Sequence, residues 1–205
     1  MFCELKKYDL AFIGLGASNS LIINSLYSAN LLQHLNIAIF ETDPKDKNDK
    51  TYCFWGTEDE VSNLQISKLI DRSWSKISCK PYDKFNISPL RYFHVSSINL
   101  YNQTKEILSF CTVDYYRENV TELTNEFNEN LITVKTESTS VQVKKIFDSR
   151  PPLWAERKKN QAFLWQSFLG WKIKTTEDIF DKDVFTMMDF EVNQSDATQF
   201  IYILP

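Results

Sequence analysis

Residues 8–13 read Tyr-Asp-Leu-Ala-Phe-Ile, a short and mostly apolar run that stops at Gly14-Leu15-Gly16. Such a run fits the first strand of a parallel sheet, buried on both faces. The period then changes. Over residues 18–32 apolar side chains fall at 22, 26 and 29, with 21, 23, 31 and 32 widening the stripe, which predicts a helix. Residues 35–40, Leu-Asn-Ile-Ala-Ile-Phe, predict a second strand that closes on Glu41. Strand, turn, helix and strand make a βαβ unit with a right-handed crossover.

The pattern beyond this unit is more broken. Residues 43–50 are polar and charged and read as a loop, followed by the aromatic cluster Thr51-Tyr52-Cys53-Phe54-Trp55. Residues 58–70 predict an amphipathic helix, 73–95 short strands, and 99–110 another helix capped by Ser96 or Ser97. A strand is expected at 113–116 and a hairpin from 131–136 and 141–147. Pro151-Pro152 then stops regular structure. A polar loop is expected at 156–160, an aromatic run over 161–173, and strands at 187–192 and 200–204. The expected organisation is a dinucleotide-binding domain over 1–155 and the start of a second domain over 156–205.

Composition narrows the classes. The 205 residues are 43% hydrophobic and 24% charged, which suits a folded chain with a core of its own. A formal net charge of −4 gives no footprint for nucleic acid, so no nucleic-acid partner is expected. No signal peptide is read at the start, and no stretch approaches a membrane span. The cysteines, Cys3, Cys53, Cys79 and Cys111, form no C-x-x-C pair, and only His34 and His94 are present to join them. They read as reduced thiols of a cytoplasmic protein rather than a metal site.

The chemistry-bearing segment is Gly14-Leu15-Gly16-Ala17-Ser18-Asn19, placed after a strand and before a helix, with Glu41 ending the next strand. Gly14 permits a tight turn and Gly16 a close backbone approach to a diphosphate. The helix start at Ala17-Ser18 offers unpaired N–H groups and the positive end of a dipole to that anion. Glu41 is the expected acceptor for the adenosine ribose hydroxyls; an acid there favours an unphosphorylated ribose, as in FAD or NAD. Asn19 replaces the third glycine of the dinucleotide pattern, and either tolerates wider helix packing or touches the ligand. Asp148 and Arg150, at the end of a strand, are candidates to lie beside the same nucleotide, although a surface turn explains them equally. Asp189, flanked by apolar residues, is a candidate proton donor with a raised pKa; a solvent-facing strand residue explains it as well. Phe163, Trp165, Phe168 and Trp171 read as core, with a tunnel for an apolar polyene as the functional alternative.

Taken together, Y-D-L-A-F-I-G-L-G-A-S-N, F-E-T-D-P and T-Y-C-F-W resemble the opening of the lycopene cyclase family. The resemblance continues at F-D-S-R-P (147–151), Q-S-F-L-G-W-K-I (166–173), M-M-D-F-x-V (187–192) and F-I-Y-I-L-P (200–205), in the family's order. It implies an α/β, Rossmann-like FAD-binding fold of the glutathione reductase and flavin monooxygenase type, with the start of a mixed β substrate domain. It also implies carotenoid biosynthesis: a non-redox closure of lycopene ends to β-ionone rings that needs FAD in its reduced form, with NAD(P)H as a candidate reductant. Lycopene or a similar polyene is the implied partner, and a cytoplasmic protein peripheral to the inner face of the membrane is the implied setting. The family's acid block, of the type F-x-E-x-T, and its later glycine-rich segment do not follow within these residues. The chain is therefore expected to be a truncated member, inactive by itself. Another FAD-dependent oxidoreductase, of prenyl reductase or monooxygenase type, and a non-catalytic remnant remain open at this level.

Overall fold

The computed structural model describes residues 5–82, 84–126, 130–151, 160, 162 and 164–205. Cys3, Phe163, the expected loop residues 156–159 and the expected domain boundary at 155/156 lie outside them. In chain order the elements are β1 (Lys6–Ile13), α1 (Ala17–Ser28), β2 (Asn36–Phe40), β3 (Thr51–Gly56), α2 (Glu58–Asn63) and a 3-10 turn (Ser67–Leu69). Then come β4 (Arg72–Trp74), β5 (Lys76–Lys80), β6 (Lys84–Asn86), β7 (Arg91–Ser96), α3 (Ser97–Ser109), β8 (Thr112–Tyr116) and β9 (Glu122–Glu126). β10 (Leu131–Lys135), β11 (Ser140–Asp148), β12 (Val184–Asp189) and β13 (Ile201–Ile203) complete the chain. They fall into two compact units, Met1–Ser73 with Ser88–Arg150, and Trp74–Ile87 with Pro151–Pro205.

The first unit is built on a six-stranded sheet in the order β8-β2-β1-β11-β10-β9. β8, β2, β1 and β11 run parallel; β10 pairs antiparallel with β11, and β9 pairs antiparallel with β10. The apolar run of β1 is continuous because both of its faces are covered. Leu10 and Phe12, with Ile37 and Ile39 of β2, pack against Ile23 of α1 and Ile107 and Leu108 of α3. Ala11 and Ile13, with Ala38 and Phe40, pack on the other side against Val120, Val134, Val141 and Val143. Phe12 is fully buried and stacks on Phe147 at 5.1 Å, so truncating it to alanine would cost about 3–5 kcal/mol. The chain leaves β1 toward β2 on one side and returns as β11 on the other. That reversal makes the carboxyl end of β1 a topological switch point.

A smaller sheet, β3-β7-β4, presents Tyr52, Phe54, Phe93 and Val95 to a core with Val61, Ile66, Leu69 and Leu100. Thr57 caps α2 through a reciprocal box with Glu60: Thr57 Oγ1 accepts from Glu60 N at 3.2 Å, and Thr57 N donates to Glu60 Oε2 at 2.7 Å. The single helix expected over 58–70 is not what forms. Gln65 adopts φ 56°, which breaks the helix and lets the 3-10 turn bring Leu69 back onto the same core. Ser96 does cap α3 by position, yet its side chain makes no capping bond; its amide donates to Asp71 instead.

The second unit is a four-stranded sheet, β13-β12-β5-β6, with β12 parallel to β5 and the other pairs antiparallel. Trp74 and Phe185 are its buried aromatic pair, 5.9 Å apart. The described part of the aromatic run, 162 and 164–173, is not core. In its described part Leu164, Trp165 and Trp171 are 86%, 81% and 81% exposed, and no regular element forms there. With no strand or helix among those described residues, their rings have no layer to bury them. No helix among the described residues is long and apolar enough to cross a membrane.

Candidate nucleotide-binding site

The turn between β1 and α1 lies at the switch point, and two glycines shape it for different reasons. Gly14 has φ +81°, and a Cβ there would stand 2.6 Å from Ser149 Oγ. Both conformation and space therefore exclude a side chain. Its amide donates to Phe40 O at 2.8 Å, joining the turn to the end of β2. Gly16 caps α1 with an ordinary φ of −82°, and a Cβ there would meet no atom within 4 Å. Its hydrogen faces open space, as close approach to a ligand requires.

The start of α1 carries no side-chain cap and no acidic residue in its first turn. The helix ladder begins with Ser20 N donating to Gly16 O at 3.0 Å, so the amides of Ala17, Ser18 and Asn19 have no helical acceptor. Ser18 is exposed and Ala17 half-buried. Uncapped amides beside an open glycine suit the diphosphate of a dinucleotide.

Glu41 stands at this turn. Its Oε2 accepts from Leu15 N at 2.7 Å and its Oε1 from Asp43 N at 2.9 Å, while Lys45 Nζ lies 3.4 Å from Oε2. Its side chain is 14% exposed. A carboxylate accepts at about four lone-pair positions, so these three neighbours leave about one for a ribose hydroxyl. Lys45 is a neighbour that sequence reasoning missed. It sits in a loop, where spacing from Glu41 carries no periodic signal, and its ammonium also lies 5.4 Å from the centre of the Tyr101 ring.

Asn19 faces inward. It is 1% exposed, and its Nδ2 donates to the carbonyls of Ile13, Gly14 and Phe147 at 3.1, 2.7 and 3.2 Å. Its side chain therefore clasps β1 to β11, which neither reading of the sequence anticipated. Ser149 was also missed as a functional position: its N and Oγ donate to Ile13 O at 3.0 and 2.9 Å, and its Oγ fills the space that glycine leaves at position 14.

Asp148 and Arg150 reach the same end of the sheet but bind each other. Arg150 Nε and Nη2 donate to Asp148 Oδ1 and Oδ2 at 2.9 and 2.7 Å, and Nη1 donates to Val120 O at 2.6 Å. The guanidinium holds the Asp148 carboxyl below the usual range, and the carboxylate raises Arg150 in return. Asp189 belongs to the other unit. Lys80 Nζ lies 3.1 Å from its Oδ2 and lowers its pKa, the reverse of the raised value expected for a proton donor. Apolar sequence neighbours did not bury it alone, because the partner strand supplies an ammonium.

Cavities discriminate less well than topology. One cavity of the first unit, about 750 Å³, is lined by Lys7, Asp9, Asn36 and Lys144, at the start of β1 and β2. Parallel sheets bind nucleotides at the opposite, carboxyl end, where the β1–α1 turn lies and this cavity does not. A smaller space of about 280 Å³ adjoins the end of β2 between Thr42, Arg117, Asn119 and Ser138.

Sheet order, turn and acid together define a Rossmann-like α/β protein of the dinucleotide-binding type. The family described as lycopene cyclase protein matches residues 9–205, and the chain belongs to it. No curated protein sequence matches the chain. Among solved structures it is similar to a p-nitrophenol 4-monooxygenase, PnpA, from Pseudomonas putida, with TM-score 0.52, 11% identity, and 70% of this chain and 41% of that one covered. It is also similar to a PqsL variant from P. aeruginosa, with TM-score 0.51, 12% identity, and 69% and 42% covered. At these identities the likeness is one of fold. The chain spans about two fifths of the length of these structures.

Proposed function

We propose that the β1–α1 turn holds the diphosphate of FAD, that Glu41 receives its ribose, and that the chain serves lycopene cyclase chemistry. The observation that carries this reading is the open space over Gly16 beside three uncapped amides, in a chain of the lycopene cyclase family. The substrate is lycopene or a similar apolar polyene, met at a membrane surface, and the product carries β-ionone rings. Ring closure adds a proton to a terminal double bond, joins carbons through the resulting cation and releases a proton, with no net redox change. Reduced flavin, when bound, supplies an electron-rich partner for that cation, and NAD(P)H is the reductant in this reading.

The chain's own residues have narrower tasks. Ala17, Ser18 and Asn19 direct N–H groups at the diphosphate, and the Glu41 carboxylate orients the sugar. Lys80 holds Asp189 as a carboxylate, so this reading gives Asp189 no proton-donating role. The purified chain is expected to bind added FAD, with a melting temperature that rises as FAD is raised above its dissociation constant. Expressed in cells that accumulate lycopene, a chain active by itself turns the red pigment to β-carotene; unchanged pigment with FAD bound is the outcome for a chain inactive by itself. A chain that neither binds nor is stabilised by FAD removes the nucleotide reading. FAD binding with consumption of reductant and no ring closure replaces cyclisation by an oxidoreductase function.

A further inference from the structure

We propose that Asn19 is a positioning residue that sets the polarity of the β1–α1 turn, drawing carbonyl groups inward so that the turn offers amide hydrogens to a diphosphate. The inference rests on the nucleotide reading above and adds to it a side chain that turns away from the ligand, onto protein carbonyls.

Three carbonyl oxygens, those of Ile13, Gly14 and Phe147, converge where β1 and β11 end. Each is the negative end of a peptide dipole, and such a group facing a diphosphate repels it. Asn19 sits in the first turn of α1, where side chains usually accept hydrogen bonds, because the helix has spare N–H groups there. Here the side chain donates instead. Its amide nitrogen has two protons for three acceptors, so at least one proton is shared.

The pull has a geometric result. With its carbonyl held by Asn19 Nδ2, Gly14 keeps φ +81°, and its amide stays on Phe40 O. The next amide, of Leu15, then points at Glu41. A glycine at position 19, as in the general dinucleotide pattern, packs closely but supplies no donor. The Gly14 and Phe147 carbonyls would then turn to water or toward the ligand. Asn19 thus replaces the close packing of that pattern with a hydrogen-bonded clasp.

The test uses the full chain with Asn19→Gly and Asn19→Asp variants, titrated with FAD and with ADP. Asn19→Gly should bind both roughly tenfold more weakly, as expected for loss of a well-made hydrogen bond. Asn19→Asp has nearly the same shape but donates nothing when ionised. Its affinity should be lowest near neutrality and should recover as the pH falls from about 8 to about 5, because a protonated carboxyl again donates a hydrogen bond. The wild-type profile should not recover in this way, and a merely structural role would not create such a dependence.

Hydrogen exchange gives a readout without ligand. The amides of Gly14, Leu15 and Ser149 should exchange faster in Asn19→Gly while the centre of β1 keeps its protection. Wild-type affinity in both variants, or unchanged exchange at those amides in Asn19→Gly, overturns the proposal. If Asn19→Asp does not fold, Asn19→Gly decides by the same two measurements. A wild-type chain that binds neither FAD nor ADP instead overturns the nucleotide reading, and exchange alone then judges the clasp.

Discussion

Ser149 Oγ occupies the place beside Gly14 where a side chain would begin, 2.6 Å from an ideal Cβ. The end of β11 and the turn after β1 are thus fitted to each other, and the fit requires glycine. Gly14→Ala is expected to destabilise the chain by about 1–3 kcal/mol, since it combines a positive φ with a collision. Ser149→Ala in the same chain should recover part of that loss, because the collision goes while the backbone strain stays. Urea denaturation of the two single variants and the double variant measures the coupling.

Gly16 should behave in the opposite way. Its φ of −82° suits any residue, and a Cβ would meet no protein atom within 4 Å. Gly16→Ala is expected to leave stability within about 0.5 kcal/mol of the parent, as for a surface position. FAD affinity should nevertheless fall, because the new methyl group enters the space kept for the diphosphate. Thermal melting and FAD titration of the same preparation separate the two effects; equal affinity would remove the close approach at Gly16.

Asp148 and Arg150 provide a pH-dependent difference. The folded pKa of Asp148 is depressed by Arg150, so the pair stabilises the chain above the unfolded value of about 3.9, and the contribution is lost as pH falls through the lower folded value. Both side chains are partly exposed, which limits the pair to about 1 kcal/mol. Arg150→Ala should cost more near neutrality than in strong acid; the residue left in acid reports the bond from Arg150 Nη1 to Val120 O. Denaturation curves at several pH values test the trend.

Asp189 should titrate below an ordinary carboxylate because of Lys80. NMR titration of its carboxyl carbon is expected to show this, and Lys80→Ala should raise the midpoint. Since the folded pKa is the lower one, any stabilisation by this pair is present above the unfolded pKa and disappears in acid. A midpoint near neutrality would restore Asp189 as a proton donor.

The legible parts of the sequence were those where one segment determines its own environment. β1 and β2 are apolar on both faces, and the glycines mark the turn between them. Glu41 follows directly, because it ends β2 beside that turn. The break in the helix expected over 58–70 was not legible, since left-handed Gln65 carries no glycine signal. Parallel pairing of β5 with β12 joins distant segments without a connecting hairpin, so residues 74–87 gave no sign of belonging with the C-terminal stretch. The same distance hid Lys80 from Asp189. At the site, Asn19 was recognised as a departure, but its direction depends on where Phe147 ends its strand.

β9 was missed because Glu-Leu-Thr-Asn-Glu lacks the alternation of a half-buried strand, and Leu123 is 40% exposed. Its place explains the composition. It is one of the two edge strands of the six, held by β10 and by the Lys135–Glu122 ion pair. Charge along an open rim discourages another chain from extending the sheet there. The polarity that concealed β9 guards this border against unwanted fibril-like growth.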